Sequence, residues 1–113
     1  MPAAADYLEE TQAPTREEID ALPGPVVVEF GTPWCGFCRA LQPSIQELLG
    51  RHPDVRHVKV EDGPGRPLGR SFRVRLWPNL VLMKDGRVVR QLARPTRAEL
   101  EEAMTELAAP SSR

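Results

Sequence analysis

Val26-Val27-Val28-Glu29-Phe30-Gly31-Thr32-Pro33-Trp34-Cys35-Gly36-Phe37-Cys38-Arg39 decides the reading of this chain. The segment starts as a continuous β-branched and apolar run, the pattern of a strand buried on both faces. It then passes through Thr-Pro and two cysteines into a helical pattern extending from about Cys35 to Leu49. Leu41, Ile45, Leu48 and Leu49 recur at helical spacing there. Pro43 falls inside this pattern and is expected to kink the helix, since it lacks an N–H and clashes with the preceding turn. The cysteines thus stand where a buried strand hands over to a helix. Unpaired N–H groups and the helix dipole favour an anion at such a place, and the thiolate is the reactive form of sulfur.

Working outward, Thr15-Arg16-Glu17-Glu18 and Thr96-Arg97-Ala98-Glu99 are capping boxes, each opening a helix. The first helix is short, buries Ile19 and Leu22, and stops at Pro23-Gly24-Pro25; the last presents Leu100, Ala103, Met104 and Leu107 on one side. Val55–Val60 reads as a second core strand, and Pro67–Phe72 as a short helix after a Gly/Pro loop. Leu80–Lys84 and Val88–Leu92 flank Asp85-Gly86, the signature of a two-residue hairpin turn. A strand at Ala5–Leu8 is weakly signalled. The expected domain plan is a flexible arm over residues 1–14, one domain over 15–109 and a frayed tail over 110–113. A strand-helix-strand unit, a hairpin and a closing helix make an α/β fold. Its mixed sheet of four to five strands carries helices on both faces.

The chain has 113 residues, 41% hydrophobic and 27% charged, with a net charge of −1. That suits one domain with a single core and gives no global attraction to nucleic acid or membrane. Basic residues gather between Arg66 and Arg97 and acidic ones before residue 30; the arginines are not interleaved with aromatics in any nucleic-acid motif. They form either solvated faces or a rim that steers acidic partners. The N-terminus lacks a basic start and a long apolar run, so the expectation is a cytoplasmic protein. In that compartment two nearby cysteines point to catalysis or metal binding rather than a structural bridge.

Zinc would need more ligands than Cys35 and Cys38, and His52 and His57 are not at ligand spacing from each other, so no metal is expected. Both histidines are assigned to loop and strand surfaces. Cys35 is read as the attacking thiol at the helix mouth, with Trp34 partly over it. Cys38, one turn further in, resolves the mixed disulfide. Glu29 is a carboxylate in an otherwise apolar strand, which requires a partner or a proton if it is buried.

Trp34-Cys35-Gly36-Phe37-Cys38, Pro43 and Arg75-Leu76-Trp77-Pro78-Asn79 together resemble a thioredoxin, from about Val26 to Leu107. The resemblance implies the thioredoxin fold, with Pro78 cis beside the cysteines and a substrate strand docked on the backbone at Trp77. It implies a buried acid/base at Glu29, where the family has aspartate, with Lys59 nearby. It implies substrate contacts at Trp34, Gly36, Phe37, Trp77 and Pro78. The implied activity is reduction of protein disulfides by a monomer. No cofactor is used beyond the Cys35–Cys38 disulfide, and electrons come from a reductase or thiol pool. Phe37 replaces the proline between the cysteines, which points to a less reducing couple. Gly31 stands where the family often has tryptophan, which points to looser support or an opened groove. Trp77 is bulkier than the usual isoleucine, and Ala93 replaces a glycine of the substrate groove. Two other readings stay open: a binding or chaperone module on the same fold, and an isomerase or oxidant.

Overall fold

The computed structural model describes residues 6–110. Residues 1–5 and 111–113, which hold the start of the expected arm and of the Ala5–Leu8 strand and the end of the tail, lie outside the described residues. The elements are α1 (Arg16–Asp20), β1 (Pro25–Gly31), α2 (Gly36–Gly50), β2 (Arg56–Glu61), α3 (Pro67–Ser71), β3 (Asn79–Lys84), β4 (Arg87–Ala93) and α4 (Arg97–Ala108). The sheet order is β2-β1-β3-β4, with β1 parallel to β2 and antiparallel to β3. Among the described residues four strands are observed, at the lower end of the expected range. In place of a fifth strand, Leu8 forms a single parallel bridge to Val60.

Alternation along β1 sorts the core into two layers. Val27 faces Ile45, Leu48 and Leu49 of α2 and Leu100, Ala103, Met104 and Leu107 of α4. Val26, Val28 and Phe30 face Ile19, Leu68 and Phe72 on the opposite side. Each fully buried Val, Leu, Ile, Phe or Met side chain among them contributes about 1.5–3 kcal/mol of transfer free energy. Both capping boxes close as read, with Thr15 and Thr96 accepting from the N–H of Glu18 and Glu99. Pro43 lies inside α2, which runs on past it to Gly50. It withholds only the N–H that would meet the Arg39 carbonyl.

The Asp85-Gly86 turn has both residues at positive φ, 52° and 82°, the geometry that joins two twisted strands with least splay. Its tip docks on the loop before β1. Asp85 N–H donates to the Gly24 carbonyl at 3.1 Å, and Gly24 N–H donates to Asp85 Oδ1 at 2.8 Å. The hairpin is thereby fastened to the strand that carries the cysteine loop.

Candidate active site

Cys35 is the N-cap of α2, and its Sγ accepts the Cys38 N–H at 3.2 Å. The helix itself begins at Gly36, one residue later than its expected start. An open N-terminal N–H that would otherwise be solvated is thus spent on sulfur. Both cysteines are free thiols and buried: Cys35 keeps 7% of its surface, Cys38 none. Burial pushes the Cys38 thiol up to about 12, and the adjoining Cys35 sulfur adds to this. The Thr32 backbone and the Tyr7 hydroxyl act in the opposite direction.

Beneath the sulfurs lies a buried polar layer. Glu29 is wholly enclosed. Its Oε2 accepts from Gln42 Nε2 at 2.6 Å, and its Oε1 shares a hydrogen bond with His57 Nε2 at 2.8 Å. Gln42 Nε2 also donates to the Cys38 carbonyl at 3.3 Å, and Gln42 Oε1 accepts from Lys59 Nζ at 2.9 Å. Gln42 therefore links the carboxyl group, the cysteine helix and the lysine. Strand pairing explains the gathering: Glu29 sits opposite Lys59, and Val27 opposite His57. The period of two puts all four on the α2 side of the sheet. The assignment of His57 to a strand surface is corrected, since its side chain is 1% exposed. The pairing alone could have located it: once Lys59 is directed at Glu29, His57 two residues earlier must share that face.

Gly31 ends β1 directly beneath Cys38. A Cβ there would stand 2.6 Å from Cys38 Sγ and 2.8 Å from Tyr7 Oη. The space a larger residue would need is taken by Tyr7. A cleft of about 320 Å³ adjoins it, lined in part by Tyr7, Thr32, Arg39, Gln42, Lys59 and Glu61. Burial, then the neighbouring Glu29 and Cys38, holds the Tyr7 hydroxyl far above its ordinary range.

The outer rim is aromatic. Trp34 and Phe37 are 70% and 60% exposed. Trp34 meets Trp77 edge to face, with ring centroids 5.7 Å apart. The Trp77–Pro78 peptide is cis. Trp77 Nε1 donates to Asp62 Oδ2 at 2.9 Å. Arg94, which sequence reasoning passed over, binds the rim together. Its N–H donates to the Pro78 carbonyl at 2.8 Å and its Nε to the Trp77 carbonyl at 2.7 Å. Its guanidinium lies 3.9 Å from the Phe37 ring centroid. The structure thus links Trp34, Phe37, Trp77 and Pro78 through the Trp34–Trp77 and Arg94 contacts, with Gly36 the first helical residue after Cys35, and joins Glu29 and Lys59 to the Cys38 carbonyl through Gln42. Among the described residues no cluster of three or more His, Cys, Asp or Glu side chains is placed to hold a metal.

Known proteins resemble this chain in sequence and in fold. The thioredoxin family model matches residues 6–106. Thioredoxin Asp f 28 of Aspergillus fumigatus is 36% identical over 87 residues, covering 76% of this chain and 81% of that one. Thioredoxin H2-1 of Oryza sativa subsp. japonica is 33% identical over 87 residues, covering 77% of this chain and 63% of that one. The structure of reduced thioredoxin 2 from Pseudomonas aeruginosa PAO1 superposes with a TM-score of 0.76 at 50% identity, covering 96% of this chain and 95% of that one. The chain therefore belongs to the thioredoxin family of protein disulfide oxidoreductases.

Proposed function

We propose that this chain reduces protein disulfides, with Cys35 as nucleophile and Cys38 as resolving thiol. The Cys35 thiolate attacks one sulfur of a substrate disulfide. A Cys35–substrate disulfide forms, and the other substrate sulfur leaves with the electron pair. Cys38 then gives up its proton and attacks Cys35 Sγ. The Cys35–Cys38 bond forms, the mixed disulfide breaks, and the substrate is released with two electrons gained. A reductase or thiol pool returns the pair to the dithiol, and no bound cofactor takes part. The observation that carries this reading is the Cys35 sulfur capping α2 through the Cys38 N–H, with the second thiol sealed directly behind it.

Glu29 takes up and returns the Cys38 proton in this reading, held in place by Gln42 and His57, with Lys59 setting Gln42. Substrate lies across Trp34, Gly36, Phe37, Trp77 and Pro78. Residues 15–109, with the Tyr7–Leu8 segment bound to β2, act as one domain, as a monomer, in the cytoplasm, and neither nucleic acid nor membrane is a partner. No described helix is long and apolar enough to cross a membrane.

The test is covalent trapping. Cys38→Ser should accumulate substrates joined to Cys35, whereas Cys35→Ser should capture almost none. Equal capture by both variants would overturn the roles. The exposed Trp34 and Phe37 also suit a binding module. That second reading wins if a Cys35→Ser/Cys38→Ser protein, inactive in insulin reduction with dithiothreitol, keeps full function in cells.

A further inference from the structure

We propose that the Tyr7 hydroxyl is a hydrogen-bond donor to the Cys38 sulfur during the resolving step, reaching it through the space that Gly31 leaves open. The inference rests on the assignment of Cys38 as the resolving thiol.

Three observations converge. Tyr7 is delivered by the segment before α1, which is fastened to β2 next door: Leu8 N–H donates to the Lys59 carbonyl at 2.7 Å, and Glu61 N–H donates to the Leu8 carbonyl at 2.9 Å. The Lys59 ammonium lies 4.4 Å from the Tyr7 ring centroid and steadies the ring. Second, Tyr7 Oη is buried and has no hydrogen-bond partner among the described residues, so its proton is free to turn to the sulfur when charge develops there. A buried hydroxyl without such a partner calls for a reason in its surroundings. Third, the atom it faces is sulfur. Cys38 Sγ and Tyr7 Oη flank the point where a Gly31 Cβ would stand, at 2.6 and 2.8 Å. Any side chain at residue 31 would press on both atoms; glycine lets them face each other. The hydroxyl keeps its proton throughout, in line with its strongly raised pKa. It serves as a donor while negative charge develops on Cys38 and passes to the leaving substrate sulfur.

A chromogenic aryl disulfide separates the two chemical steps. Attack by Cys35 releases one coloured thiolate; attack by Cys38 on the Cys35 mixed disulfide releases the second. Loss of one donor to a thiolate raises its pKa by about one unit and makes it about tenfold scarcer. Its higher nucleophilicity recovers about threefold, leaving the step about threefold slower. Tyr7→Phe should therefore slow the second release about threefold at neutral pH and move its pH profile upward by about one unit, with the first release unchanged. Gly31→Ala, which puts a methyl group between the two atoms, should give the same signature. An unaltered second release in Tyr7→Phe overturns the proposal, as does an equal slowing of both releases with no shift in pH profile, the mark of a packing role. If Cys38→Ser still gives a second release, the resolving assignment itself fails and this proposal falls with it.

Discussion

His57 Nε2 lies 2.8 Å from Glu29 Oε1, with both side chains sealed from solvent in the layer beneath the cysteines. A buried carboxyl group is tolerable only while its lone pairs are occupied. His57→Ala removes one of the hydrogen bonds on Glu29 and should lower stability by about 3 kcal/mol in urea denaturation. The Glu29→Leu/His57→Leu double variant should be less harmful than the two single changes added together, by about 1 kcal/mol or more. Strict additivity would show that the pair is not energetically coupled.

The raised Cys38 pKa sets an alkaline limit on the reduced protein. In the unfolded chain this thiol ionises near its ordinary value of 9.0; in the fold it does so at about 12. Between those values the unfolded chain releases a proton that the native state retains, so stability is intact below the lower value and falls as pH rises through the window. Tyr7, raised in the same sense, adds to the loss at the upper end. The urea midpoint of the reduced protein should drop as pH rises from about 9 toward about 12, and Cys38→Ala should flatten that drop.

Gly86 sits at φ 82°, and a Cβ there would run into the Asp20 carbonyl. Gly86→Ala should cost about 2 kcal/mol through left-handed strain and the displaced contact. The effect should appear as a lower urea midpoint, with the cysteine steps of the surviving folded protein unaltered.

Arg94 occupies the Trp77 carbonyl on which a substrate strand would pair, and stacks on Phe37. Arg94→Ala frees that acceptor. KM for an uncharged peptide disulfide should fall about two- to threefold with kcat unchanged. Stability should fall by under about 1 kcal/mol from the lost cation–π contact. A raised KM would show instead that the guanidinium itself holds substrate.

Wherever local chemistry decides structure, the chain was readable in advance. Thr15 and Thr96 announced their helices, Asp85-Gly86 its turn, and Leu100, Ala103, Met104 and Leu107 the buried side of α4. Cys35 declared itself by its place between a β-branched run and a helical pattern. What stayed hidden depends on pairing across long separations. His57 becomes a partner of Glu29 only through the β1–β2 register. Gln42 becomes a hub only because α2 lies over that strand. Arg94 reaches Trp77 and Phe37 from the far end of the hairpin, and its backbone at φ 49° is a conformation that local sequence rarely advertises for arginine. Tyr7 eluded the reading for the same reason, since its segment carries almost no strand signal and is held by one bridge.

That single bridge has a practical consequence. Trimming the chain back to its first capping box, a natural choice when expressing a minimal domain, would keep the residues of every described strand and helix while removing Tyr7 from beside the cysteine pair. Fusion partners or affinity tags abutting Leu8 would disturb the same spot. Redox measurements on shortened or tagged versions would then report a site hollowed from below rather than the one the whole chain builds.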